Sequence, residues 1–198
     1  MPATDALSRA LESPGEPRVR PLPPGVSALL RTLAAPPRLA AHLRLVHDVA
    51  HELAEWMAGH CPAPAFDREA VLFGAATHDI GKAVHTAELS GPGSAHEPAG
   101  RELLLAHGFP EHLARFAATH ATWHGNGVSI EELLVSTADK VWEGKRVQDL
   151  EDLLVSRLAA ATGAEPWAAY LELDGVLGRI AEGADGRLGF QAAFPVHP

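Results

Sequence analysis

The sequence is poor in the features that would tie a protein to an oxidising or lipid environment. Among its 198 residues there is one cysteine, Cys61. No internal disulfide can form, so the disulfide-stapled secreted class is excluded and a cytoplasmic location is expected. No run of about 18 apolar residues occurs, which excludes a spanning helix and a membrane partner. Asp5, Arg9 and Glu12 interrupt the N-terminus where a signal peptide would carry its apolar centre. Positive charge is also scarce: 16 Lys and Arg stand against 25 Asp and Glu, a formal net charge of −9 with histidines neutral. A surface of that sign is unsuited to displacing counterions from nucleic acid, which makes nucleic acid an unlikely partner. Alternating strand patterns are almost missing, the one candidate being Arg187 to Ala193, where Leu188, Phe190 and Ala192 alternate with other residues. A short C-terminal β-hairpin is the most that this stretch allows.

What remains is helical. With 46% hydrophobic and 21% charged residues the chain can build a core. Helical periodicity places helices near 26–35, 38–59, 67–79, 94–107, 110–123, 129–143, 149–162 and 166–182. Asp67 is placed to cap one of them, Ser94 with Glu97 and Ser129 with Glu132 are spaced as capping boxes, and Pro110 suits a first turn. Residues 1–24 hold Pro2, Pro14, Pro17, Pro21, Pro23 and Pro24 and read as a flexible or loosely docked arm. Residues 183–198 form a tail. The fold class is therefore all-α, with one domain over 25–182.

Histidine is the abundant residue. There are twelve, and eleven lie between His42 and His124. His42 sits in the gap of an apolar stripe formed by Leu39, Val46, Val49, Leu53 and Trp56. His78 continues the face of Val71, Gly74 and Ala75, with Asp79 beside it. His96 shares a face with Ala99, Leu103 and Ala106, and His120 with Leu113, Phe116 and Ala117. Asp139 neighbours Val135 and Trp142. Burying so many polar groups costs several kcal/mol unless they pair or bind a cation, and a shared metal site satisfies all of them. His47 and His51, four apart, could also chelate an ion, and His47 competes with His42 for the first ligand position; the stripe favours His42.

The order His42, then His78-Asp79, then Asp139 resembles the HD-domain superfamily of metal-dependent phosphohydrolases. The stretch His42-Leu-Arg-Leu-Val46-His-Asp-Val49-Ala50-His-Glu-Leu53-Ala54 is similar to the family's first helix. His78-Asp-Ile-Gly-Lys82 matches its central signature, and Ala138-Asp139-Lys140 resembles its closing helix. The resemblance implies an HD helical bundle with a ligand core over 38–146 and supporting helices over 149–182. His96 and His120 resemble two extra histidines found in family members that bind two metals. The implied metal set is then His42, His78, Asp79, His96, His120 and Asp139, holding one or two divalent transition ions (Fe, Mn, Zn, Ni or Co). With a single ion, His96 and His120 would contact substrate instead.

The implied activity is hydrolysis of a phosphomonoester, phosphodiester or phosphoanhydride of a small metabolite, a nucleotide above all, by a metal-activated water. Asp79 would bridge the ions and orient that water, and Lys82 would stabilise charge developing on the phosphate. Lys82, His124, Arg101 and Lys140 are the candidate substrate contacts. No Gly-Tyr-Pro follows at the place the HD-GYP subgroup requires, which counts against cyclic dinucleotides. The alternatives are a di-iron HD-type oxygenase and a catalytically weak nucleotide-sensing module. Leu150, Leu153, Leu154, Leu158, Trp167, Tyr170, Leu171, Leu173 and Leu177 make apolar faces that either wrap the core or form a homodimer seam.

Overall fold

The computed structural model describes residues 3–16, 18–60, 66–125 and 127–196; Cys61 and His197 lie outside that set. Among the described residues there are helices and no strand. The long central helix α3 (Pro37–His60) packs against α4 (Arg68–Thr77) and α8 (Ile130–Val141), and these three carry the residues around which the bundle closes. The expected N-terminal signals hold where the chain is regular. Asp67 accepts from the Ala70 amide at the start of α4, and Ser129 with Glu132 forms a complete capping box at the start of α8. Leu45, Val46, Val49 and Leu53 of α3, Val71 and Ala75 of α4, and Leu134, Val135 and Ala138 of α8 form one buried cluster. It extends to α9 (Gln148–Thr162) and α10 (Pro166–Glu182) through Leu150, Leu154, Leu158, Leu173 and Leu177. These leucines wrap the core, while Trp167, Tyr170 and Leu171 stay exposed.

Several expectations change. The N-terminal arm contains a helix, α1 (Ala3–Glu12), whose Leu7, Ala10 and Leu11 are buried together with Leu22 and residues of α2 (Pro24–Thr32). Its anchor is Arg44 of α3, whose buried guanidinium donates to the carbonyls of Ala10 (2.6 Å), Ser13 (2.9 Å), Val19 (3.0 Å) and Arg20 (3.3 Å). Burying a guanidinium is tolerable only when its donors are satisfied in this way. The C-terminal hairpin is replaced by helix α11 (Ala184–Ala192). Leu188, Phe190 and Ala192 alternate in sequence but share no buried face: Leu188 is 40% exposed and Phe190 packs against the core. Arg187 of α11 is buried and donates to the carbonyls of Trp142 (2.6 Å) and Ile180, closing the ends of α8 and α10.

The segment expected as one helix over 110–123 is two single turns, α6 (Glu111–Ala114) and α7 (Phe116–Thr119), joined at Arg115. The helix expected over 67–79 ends at Thr77, with His78 still helical and Asp79 outside it at φ −103°, ψ 11°. A short 3₁₀ turn over Ile80–Ala83 follows, then another over Thr86–Leu89, before α5 (His96–Ala106) begins. The Ser94–Glu97 box does not form. The amides of Ala95 and His96 are instead capped by the carboxylate of Glu88.

Candidate metal centre

Each candidate ligand arrives from a different stretch of backbone. His42 comes from the first turns of α3 and His78 from the end of α4, while Asp79 is turned off the helix by the break that follows. His96 is the first residue of α5, His120 closes α7, and Asp139 lies near the end of α8. Their ligand atoms converge. His42 Nε2 is 3.2 Å from His78 Nε2 and 3.9 Å from Asp139 Oδ1, and His78 Nε2 is 3.1 Å from Asp139 Oδ1. On the other side, Asp79 Oδ1 is 3.0 Å from His96 Nε2 and 3.6 Å from His120 Nε2. These are two adjoining triads, His42–His78–Asp139 and Asp79–His96–His120, each compact enough to hold one ion. Asp79 reaches both, because its second oxygen, Oδ2, lies 3.2 Å from His42 Nε2 and 3.7 Å from His78 Nε2.

The rings are oriented for ligation. His78 Nδ1 donates to the Ala75 carbonyl at 2.9 Å and His120 Nδ1 to the Ala117 carbonyl at 3.2 Å. A carbonyl only accepts, so Nδ1 carries the proton in both rings and the Nε2 lone pair faces the centre. Asp79 Oδ1 and His96 Nε2 approach each other without hydrogen-bond alignment, and both stay buried with no hydrogen-bond partner. A buried acceptor pair of that kind costs free energy that a shared cation would recover, and a donor set of imidazoles and carboxylates suits a divalent transition ion.

Electrostatics point the same way. Burial is the largest single influence on Asp79 and Asp139 and pushes both carboxyls upward, but His78 leads a set of neighbours that together outweigh it. The neighbouring His42 and His96 rings and Lys140 add to the effect, and both groups lie well below the usual carboxylate range. Burial opposes charging of His78, yet Asp79 and Asp139 raise it. Burial, with the charge of His78, lowers His120 to about 4. The site is therefore anionic at its carboxylates, while its rings diverge, His78 being raised and His120 lowered. Lys82 Nζ sits 2.6 Å from Asp79 Oδ2, the same oxygen that faces His42 and His78, and Lys140 Nζ sits 2.6 Å from Asp139 Oδ2, so each carboxylate carries one ammonium.

Not every candidate joins the cluster. His124 is exposed and pairs with Asp149 at 3.3 Å. Arg101 is bound to Glu111 at 2.8 Å on the surface. His47 is buried elsewhere, its ring 4.7 Å from that of His51, and its Nδ1 has no hydrogen-bond partner; His42, not His47, reaches the cluster. Glu88, which no motif singles out, lies 2.5 Å from His96 Nδ1.

Burial, assisted by His51, Arg20, Arg44 and Arg68, lowers His47 from the usual 6.5 to about 3. The folded protein keeps this ring neutral while the unfolded chain protonates it near 6.5, so stability is lost as pH falls from about 6.5 toward 3. His47→Leu is expected to remove that dependence. Between pH 6.5 and 4 the wild type should lose roughly 2 kcal/mol more than the variant in urea unfolding. Parallel pH profiles for the two proteins would contradict the assignment.

A helical bundle that gathers three helix-borne imidazoles, a fourth from a helix start and two carboxylates into adjoining triads defines a helical domain with a candidate dinuclear metal centre. This chain belongs to the HD-domain family, whose model matches residues 39–158, more than half of its length. The matched span includes all six cluster residues. Comparisons with curated proteins and with solved structures find no match. The family is typically one of metal-dependent hydrolases that bind divalent ions. Among the described residues no helix is long and apolar enough to cross a membrane.

Proposed function

We propose that this protein is a metal-dependent phosphohydrolase that cleaves a phosphomonoester, phosphodiester or phosphoanhydride of a small metabolite, with nucleotides as the first class to test. The observation that carries the reading is the division of the two Asp79 oxygens between two histidine-containing triads. Divalent ions bound there would supply Lewis acidity to phosphoryl oxygens and bring the pKa of water toward neutrality.

The chain's own groups have separable parts in this reading. His42, His78 and Asp139 would hold one ion and His96 and His120 the other, with Asp79 shared. Asp79 would also accept a hydrogen bond from the attacking water. Lys82 and Lys140 bring two ammonium groups, about one-fifth exposed, to the rim of the cluster. There they can stabilise charge on phosphate oxygens in a chain whose net charge is −9. His124 and Arg101, committed to Asp149 and Glu111, are left out of the proposed machinery.

The test is elemental analysis of the purified protein together with phosphate release from a panel of nucleoside phosphates, dinucleoside polyphosphates, a nitrophenyl monoester and a bis-nitrophenyl diester. Release that is abolished by chelator and restored by added Mn, Fe, Zn, Ni or Co is expected. Finding no bound metal and no metal-stimulated release would overturn the reading. Oxygen uptake by the iron-loaded protein in place of phosphate release would assign it to the oxygenase alternative.

A further inference from the structure

We propose that Glu88 is a positioning residue for the metal centre, holding the His96 ring with its Nε2 toward Asp79 and thereby setting the affinity of the Asp79–His96–His120 position. The proposal rests on the reading of the cluster as metal-binding. It adds a group outside the six cluster residues, on the 3₁₀ turn Thr86–Leu89.

Glu88 is fixed from three directions. Its Oε1 accepts from the Ala95 amide at 3.1 Å, its Oε2 accepts from the His96 amide at 3.1 Å, and the same Oε2 lies 2.5 Å from His96 Nδ1. The side chain is only 13% exposed. Since a carboxylate only accepts, Nδ1 of His96 carries the proton, and the lone pair is on Nε2, 3.0 Å from Asp79 Oδ1. His78 and His120 donate from Nδ1 to carbonyls three residues earlier in their own helical turns. Among the described residues no other cluster ring has a carboxylate at its Nδ1. A carboxylate behind an imidazole makes the ring a more basic ligand than a carbonyl does and fixes its orientation.

Glu88 also stands where a cap is missing. Helix α5 starts with no side-chain bond from its own N-cap residue, Ala95. The same carboxylate therefore satisfies the first amides of α5 and aims the side chain of its first residue. The other triad has no such dependence on a separate turn, because His42, His78 and Asp139 all come from long helices or their ends. The two metal positions are consequently unequal: one is built by helix packing, the other is completed by Glu88.

The test uses the full chain, stripped with chelator and titrated with Zn²⁺ or Mn²⁺ against a chromophoric competitor. In Glu88→Ala one of two ions should weaken by about 10- to 100-fold while the other keeps its affinity. Glu88→Gln, whose amide oxygen still accepts from Nδ1–H, should recover most of the loss. Circular dichroism should show the helical fold kept in both variants, with Glu88→Ala melting somewhat lower because the α5 cap is lost; a purely structural role would not confine the loss of affinity to one of the two ions. In a His96→Ala background, Glu88→Ala should change nothing further. Wild-type affinity for both ions in Glu88→Ala, equal weakening of both ions, or an added loss in the His96→Ala background would overturn the proposal alone. Wild-type protein that takes up no divalent ion would sink the metal-centre reading and this proposal together.

Discussion

Asp79→Asn is expected to strip metal from both positions and to reduce phosphate release by about a thousandfold or more, with the helical fold kept. The amide matches the carboxylate in shape, so the helix break at residue 79 and the packing around it survive. What disappears is the charge that the two triads share. Asp79 Oδ1 belongs with His96 and His120, while Oδ2 lies against His42 and His78. An amide offers one weaker oxygen and turns an NH₂ toward the other triad, where it cannot ligate. Lewis acidity worth several kcal/mol is then lost, and each 1.36 kcal/mol is about tenfold in rate, so roughly three powers of ten is a lower estimate. Lys82 loses its carboxylate but can turn toward water, which limits the stability cost. Asp139→Asn is the contrasting variant: the ion pairs of its carboxylate within the cluster are with His42 and His78 of one triad, so one ion should remain. Elemental analysis of the two variants beside wild type separates these outcomes. Two retained ions and undiminished turnover in Asp79→Asn would remove Asp79 from the centre of the mechanism.

Five of the six candidate ligands were legible because a 3.6-residue period puts each on or beside an apolar face; Asp79, which lies off the helix, was legible as the neighbour of His78 in the resemblance to the family. His42 in the stripe of α3 and Asp139 beside Val135 are examples. Long regular helices were legible for the same reason, and α3 and α10 begin and end within a residue or so of their expected limits. What escaped has no periodic signature. Glu88 acts across eight residues of irregular chain, and the Ser94–Glu97 spacing pointed to a local cap that the folded turn pre-empts. The six early prolines suggested a loose arm, yet Leu7, Ala10 and Leu11 are spaced for one helical face. The arginine that binds that helix, Arg44, reads in sequence as an ordinary polar interruption of α3. The tail misled because residues at i, i+2 and i+4 alternate like a strand while also fitting a helix turn.

Gly81→Ala is expected to be the most damaging single methyl group in the protein. Gly81 is in the 3₁₀ turn directly after Asp79, and the backbone of α5 lies on it with no side chain between. A Cβ built there would collide with the His96 carbonyl oxygen and stand 2.7 Å from the Gly100 amide nitrogen. Neither atom belongs to a flexible side chain, so the backbone of α5 or of the turn must move. Space around α5 is already short here, because at Gly100 a Cβ would stand 3.0 Å from Ala117 of α7 and 3.1 Å from the Gly81 amide nitrogen. Overpacking of this sort costs about 1–3 kcal/mol, and more where backbone is the obstacle. The displaced group is also a functional one, since His96 carries both the colliding carbonyl and a ligand nitrogen. Separating the turn from α5 pulls Asp79 and His96 apart, so the Asp79–His96–His120 position should fail before the bundle does. The expected result is a variant that melts several degrees lower and binds one divalent ion in place of two. Gly25→Ala, at a position with open space around its Cβ, should leave both quantities unchanged. Wild-type melting and full metal content in Gly81→Ala would show that α5 does not press on the turn as the structure has it.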